Sequence, residues 1–235
     1  MRDVSVAASL TEGVYHQLRA DLLSCRIRPG EKLNLRHICT RLDASTGAVR
    51  EAVARLVSDG LVDAAVQRGY WAAPVSVEAL INLTQARVEI EILCLRESIL
   101  NRSITWESEL LAAGYMLANT QLNCEEDAHQ VSDDWTQSHK RFHQALVSAC
   151  PNPYLLQMRD QLYAQSERYR QMSVSLAESE RDMQREHRLL QEAVIARDIE
   201  GAAASIRSHL EETTRIIIEN TPAEIWTGQT QHIAV

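Results

Sequence analysis

The chain has 235 residues, is 45% hydrophobic and 24% charged, and carries a formal net charge of −8. That balance is ordinary for a soluble globular protein of one large or two modest domains. No apolar run nears the ~18 residues that would cross a bilayer, and Met1-Arg-Asp-Val-Ser5 leads into mixed polar sequence rather than a secretory leader, so a cytoplasmic protein with no membrane partner is expected. The five cysteines (Cys25, Cys39, Cys94, Cys124, Cys150) are odd in number, widely spaced and without a C-x-x-C pair. That argues against a disulfide framework or a thiolate zinc site and for buried free thiols. The charge is uneven: residues 1–75 hold 10 Lys+Arg against 8 Asp+Glu, and the remainder holds 14 against 24. Nine of the ten front-end cations are arginine, which suits contacts to phosphate and base edges.

In chain order, Leu10–Ser24 places Val14, Leu18 and Leu22 on one helical stripe, with Thr11 as its cap. Pro29-Gly30 breaks the chain. A short helix is predicted at about 35–42, a turn at Asp43–Gly47, and a second helix through Ala48–Asp59 that Gly60 closes. Leu61–Ala65 and Tyr70–Ala73 read as two strands joined by a turn at Gln67-Arg68-Gly69. The order helix, helix, turn, helix, hairpin is that of a winged helix-turn-helix. Pro74-Val-Ser76 looks like a joint. Helical patterns then fill about 77–101, 105–122, 132–149, 153–175, 178–197 and 199–219, and the polar stretch after Pro222 is expected to fray. The expected class is mostly α. A winged helix-turn-helix domain (1–75) precedes an all-α antiparallel bundle of six to seven helices (76–221), and 222–235 form a tail.

In a helix-turn-helix the second helix enters the major groove and its N-terminal end meets base edges and phosphates. The DNA-contacting residues expected here are Ser45, Thr46 and Gly47 at the helix entry and Arg50 just inside it. Arg50 can take guanine O6 and N7 together. Arg36 reaches backbone or an adjacent base, and Arg68 and Gly69 form a wing tip suited to the minor groove. Ser45 also reads as the helix N-cap.

Four histidines dominate the rest of the chain. His139 and His143 are four apart, hence on one helical face. His187 and His209 each lie eleven residues from Asp198, where the chain is expected to fold back. Eleven helical residues span ~16 Å, so the two imidazoles should meet across an antiparallel helix pair. Such a set can hold one divalent metal inside a bundle. Arg87 sits in an apolar stripe and needs an anionic partner, either Glu91 one turn on or a ligand carboxylate. Arg168 and Arg170 are two apart on a helix and point ~160° apart, so only one faces inward. Arg168 is the favoured one. Asn152 is either a helix cap or a ligand contact.

Leu18-Arg19, Pro29-Gly30-Glu31-Lys32-Leu33, Val49-Arg50-Glu51-Ala52, Asp59-Gly60-Leu61-Val62 and Arg68-Gly69 resemble the head of a GntR-family transcription regulator. Family members often carry arginine where this chain has Thr46. Arg87-x-Glu89, Phe142-His143 with Asn152, Glu186-His187, Arg197-Asp198 and His209-Leu210 resemble the FCD effector domain of the FadR subfamily. The resemblance implies a homodimer on a pseudo-palindromic operator, with repression released by a small organic acid. It also implies a divalent metal beneath that acid, with His143, His187 and His209 at family ligand positions. The usual Asp is replaced by His139, which removes a negative charge, favours zinc or nickel and strengthens the pull on an anion. Asp134 is a candidate to restore the charge. Effector contacts are expected from Arg87, Asn152 and Arg168. Phe142–Leu146, Ala149-Cys150 and Ser166–Arg170 look closest to the carbon-starvation regulator (CsiR-like) branch, which hints at a short dicarboxylate of glutarate type. Two rival readings are a metal-dependent helical-bundle enzyme and a metal-free regulator sensing an acyl thioester. Neither an H-E-x-x-H nor a repeated Glu-x-x-His supports the enzyme.

Overall fold

A computed structural model describes residues 2–65, 68–123, 131–172 and 181–226. The expectations for Gln67, most of the 123–131 gap, the 173–180 stretch, Cys124 and the end of the tail fall outside the described residues. The elements are α1 (Arg2–Leu23), α2 (Leu35–Leu42), α3 (Thr46–Ser58), β1 (Val62–Ala65), β2 (Gly69–Ala72), α4 (Val77–Leu100), α5 (Ile104–Ala118), α6 (Asp133–Val147), α7 (Pro153–Met172), α8 (Met183–Ile195), α9 (Ile199–Asn220) and the short α10 (Ala223–Trp226). No described helix is long and apolar enough to cross a membrane.

The chain divides into two compact units. One comprises Met1–Ala79, Ala164–Met172 and Pro222–Val235; the other comprises Leu80–Tyr163 and Ser173–Thr221. In the first, α1, α2 and α3 close around Leu18, Val49, Val53, Leu56 and Leu61, all fully buried. Burying side chains of this kind stabilises by roughly 1.5–3 kcal/mol each. β1 and β2 pair antiparallel, Val62 opposite Ala72 and Ala65 opposite Gly69. Gly69 takes φ +115° in that hairpin, a conformation that side-chain-bearing residues avoid. Two expectations change here. Thr11 caps nothing, because α1 begins at Arg2 and holds Thr11, 7% exposed, in its interior. After Pro222 the described residues do not fray: Ala223–Trp226 form α10, whose Trp226 stacks on Tyr169 at 6.3 Å between ring centres.

The second unit is the helical bundle. Phe142, Leu146, Leu110, Leu190 and Ile206 are buried at its centre, and Trp106 donates its indole N–H to the Ala145 carbonyl at 2.7 Å. Its helix starts are capped by short polar side chains. Ser103 accepts from Trp106 N, Ser132 from Trp135 N, and Asp182 from Arg185 N. Each cap satisfies a backbone donor that the helix leaves unpaired. Between α8 and α9, Arg197 adopts φ +64° and Asp198 caps α9 by accepting from Gly201 N at 2.9 Å. Gly201 lies close against that capping carboxylate, where a Cβ would collide with it.

Candidate metal centre and DNA-reading face

The reversal at Asp198 brings α8 and α9 side by side, and His187 and His209 meet with ring centres 4.7 Å apart. From α6, one turn apart, His139 and His143 reach the same point. All four rings are buried, and one nitrogen from each lies within 4.8 Å of the others. The Nε2 atoms of His139 and His143 are 3.1 Å apart. Two nitrogens bonded ~2.1 Å from one ion lie roughly 3.0 Å apart at a right angle and roughly 3.4 Å apart in a tetrahedron. The observed pair falls between these values, and the 4.8 Å that bounds the set stands about 0.6 Å beyond the ~4.2 Å diameter of such a shell. The donor set therefore fits a single divalent ion. Its chemistry, imidazole throughout, suits zinc, nickel or copper.

Burial pushes His143 well below the usual imidazole range, with repulsion from His209, His187, Arg87 and Arg159 adding to it. Burial likewise lowers His209 to about 4, against the opposing pull of Glu186. Neutral rings are the form that binds metal. Glu186 holds the far side of His209, its carboxylate 2.9 Å from Nδ1. Arg181 clamps the same carboxylate through Nε and Nη2, and donates to the His209 carbonyl and to Thr213. Burial alone would raise the Glu186 carboxyl, but hydrogen bonds from His209 and Arg181 outweigh it and hold it at about 2. Glu186 is thus the carboxylate that serves the histidine set, one step removed from the nitrogens. Asp134 is exposed and stands outside the cluster.

The arginines expected at an effector site are distributed unevenly. Arg87 is buried in the helical unit, its Nε 3.4 Å from Glu91 and its guanidinium 4.8 Å from the centre of the Tyr163 ring. Arg168 is buried too, but in the winged unit, where Nη2 donates to the Pro74 carbonyl at 3.1 Å. Its Nε is buried there with no hydrogen-bond partner. Asn152 is exposed and caps α7, its side-chain oxygen accepting from Tyr154 N and Leu155 N. The arginine that joins Arg87 is Arg159, which the sequence reading passed over. It is 1% exposed and donates from Nε to Glu91 at 3.1 Å. A separate cavity of about 430 Å³ lies against His187, walled by Leu117, Trp135, Arg181 and Met183.

In the winged unit Ser45 caps α3, accepting from Ala48 N at 3.2 Å. Ser45, Thr46, Gly47, Arg50, Arg36 and Arg68 are all exposed. Arg36, Arg50 and Arg68 enter no ion pair among the described residues, whereas Arg55 is held by Glu12 and Arg41 by Asp21. Gly69 is half-buried beside Arg68 at the hairpin. An exposed helix N-terminus and guanidiniums outside ion pairs are both features that suit an anion.

A winged reading head joined to a helical bundle with a buried donor set defines a class of two-part regulators, and comparison with known proteins agrees. Residues 10–71 match the model of bacterial regulatory proteins of the gntR family, and residues 82–212 match the FCD domain. The chain belongs to the GntR family, in the FadR-type arrangement, and is a DNA-binding transcription regulator with an FCD effector domain. It is 31% identical over 89% of its length to the HTH-type transcriptional regulator BphR of Paraburkholderia xenovorans strain LB400, covering 85% of that protein. It is 32% identical over 83% of its length to the HTH-type transcriptional repressor GlaR of Escherichia coli K12, covering 90% of it. In fold it resembles a GntR regulator from Rhodococcus sp. RHA1, with a TM-score of 0.71, 21% identity and coverage of 90% of this chain and 98% of the other.

Proposed function

We propose that the protein is a repressor that binds its operator as a homodimer and is released by a small carboxylate bound at a metal centre in the helical unit. The observation that carries this reading is the buried set of four imidazoles with Arg87 in the same unit. Four neutral nitrogens give a divalent cation no charge compensation, so an anion is drawn to its open positions. Zinc or nickel is the expected metal, held by His139, His143, His187 and His209. When bound, it supplies a Lewis-acidic anchor for the acid. Arg87 supplies a second anchor, and the cavity against His187 gives a small solute a way to the cluster.

On the DNA side, Arg50 reads a base edge, while Arg36, Ser45, Thr46 and Gly47 hold phosphate. Arg68 and Gly69 track the minor groove. The repressor assignment follows the name of the E. coli relative. Exposed apolar side chains on the bundle, among them Leu93, Leu100, Ile104, Leu111 and Tyr115, support burial against a second copy. The acid releases DNA only if it binds one dimer geometry better than the other.

The test is metal analysis of the purified protein alongside a gel-shift titration with DNA upstream of its own gene, with and without added zinc and short organic acids. About one metal per chain and acid-dependent loss of the shifted band are expected. Metal-free protein that binds DNA and responds to acid equally well would remove the metal from the reading.

A further inference from the structure

The hydrogens around His209 decide which of its ring nitrogens is free. Arg181 stands just before α8, its side chain 5% exposed. A guanidinium carries one hydrogen on Nε and two on each Nη. Nε donates to Glu186 Oε1 at 2.6 Å, and Nη1 donates to Thr213 Oγ1 at 2.8 Å. Nη2 uses both of its hydrogens, one on Glu186 Oε2 and one on the His209 carbonyl at 2.9 Å. Nη2 also lies 3.2 Å from His209 Nδ1, but it has no third hydrogen to give. The neighbour left to Nδ1 is Glu186 Oε2, 2.9 Å away, and an ionised carboxylate only accepts. A bond there puts the proton on Nδ1. In a neutral imidazole the other nitrogen then keeps a bare lone pair, so Nε2 is the atom that serves the four-histidine set.

The contacts reinforce one another. Thr213, one turn beyond His209 on α9, donates its hydroxyl to the His209 carbonyl at 2.7 Å while accepting from Arg181. Arg181, Glu186, His209 and Thr213 thus form one connected network. Glu186 on its own is a weak guide for the ring, because its side chain is 30% exposed and free to turn toward water. The fork made by Nε and Nη2 grips both carboxylate oxygens and removes that freedom. A lysine ammonium, a single point charge, cannot form the fork.

We propose that Arg181 is a positioning residue for the metal: by clamping Glu186 it holds His209, before any ion arrives, in the tautomer whose Nε2 is ready to coordinate. The inference rests on the metal-binding reading above and deepens it. A ring already in that form binds without first relocating its proton, and preorganisation of this kind appears directly as affinity.

Two measurements on full-length protein test this. The first is nitrogen NMR of zinc-free protein carrying isotope-labelled histidine, with the His209 signals assigned by their loss in His209→Gln. Wild type is expected to show the proton on Nδ1, and Arg181→Met a mixture of the two tautomers. The second is zinc affinity by competition with a chelating dye. Arg181→Met should bind zinc at least about ten-fold more weakly. Added to Glu186→Gln, it should weaken binding by no more than about three-fold further, because both changes disable one contact. Fully additive losses would make Arg181 a support of the fold alone and overturn the proposal. So would an Arg181→Met ring that stays wholly protonated on Nδ1, or that variant binding zinc as tightly as wild type. Should Arg181→Met fail to fold, Arg181→Lys, which keeps the charge and loses the fork, takes its place in both measurements. If wild type takes up no zinc, the metal reading falls and this inference with it. If wild type binds zinc but its zinc-free His209 carries the proton on Nε2, only this inference falls.

Discussion

In the winged unit Arg36, Arg50 and Arg68 stand exposed and outside any ion pair among the described residues, whereas in the helical unit Arg87 and Arg159 are almost wholly buried around Glu91. The same residue type is held in two electrostatic states. On the winged surface, water solvates the guanidiniums until a polyanion displaces it, so the cost of desolvation falls at the moment of DNA binding. Inside the bundle that cost is met during folding, where the contacts with Glu91 offset part of it. Exposed arginines need a partner large enough to cover them. Buried ones are open only to a partner small enough to enter. Under the proposed function, that contrast gives the nucleic acid to one unit and the small acid to the other.

The largest expected effect breaks the helical side of the contrast. His143→Ala combined with His187→Ala should lower metal content from about one equivalent per chain to almost none, measured by elemental analysis after dialysis. Metal present at a thousand times its dissociation constant stabilises the folded state by about 4 kcal/mol. The double variant should therefore melt like chelator-treated wild type and gain nothing from added zinc. Unchanged metal content would reduce the four histidines to packed core. A smaller change sharpens the same side. Glu186→Gln keeps an acceptor near His209 but removes the charge that Arg181 clamps. Metal affinity should drop roughly 10- to 100-fold, with operator affinity of the zinc-saturated protein unchanged.

On the winged side, Arg50→Ala should weaken specific operator binding by about 1–3 kcal/mol, read by gel shift against a scrambled duplex. Arg55→Ala, which breaks the contact with Glu12, should leave the ratio of specific to non-specific binding where it was. If Arg55→Ala costs as much specificity as Arg50→Ala, the distinction between committed and uncommitted arginines fails.

How much of this was legible in the sequence depends on the range of the interaction. The meeting of His187 and His209 followed from equal spacing about Asp198, because helix rise is local and regular. The pairing of His139 and His143 followed for the same reason. Ser45 as a cap was legible because capping involves residues three apart. Thr11 was misread as a cap because a capping residue type can also stand inside a helix, and α1 extends back to Arg2. Arg159 was invisible because its partner is 68 positions away, and burial of a charged residue leaves no periodic signature when one carboxylate on another helix neutralises it. Periodicity did place Arg168 inward, but it carries no information about which unit supplies the interior. Glu186 precedes His187 directly, and neighbouring residues on a helix face different ways. It does face away from the four-nitrogen cluster, yet its reach across to α9 brings it to Nδ1 of His209.

The smallest expected effect separates two roles that Ser45 combines. Its hydroxyl caps α3 by accepting from Ala48 N, and it stands exposed at the helix end proposed to meet phosphate. Ser45→Ala removes the capping acceptor and should cost about 1 kcal/mol of stability, visible as a lowered denaturation midpoint. It should also weaken DNA binding modestly. Ser45→Asp preserves the capping acceptor and places a negative charge at the positive end of α3, so stability should hold or rise slightly. The same charge repels a phosphate at that helix end, and operator binding should fall further than in Ser45→Ala. Stability and affinity then move in opposite orders across the two variants. If they move together, Ser45 acts on DNA only by keeping α3 folded, and the exposed helix end is not a phosphate contact.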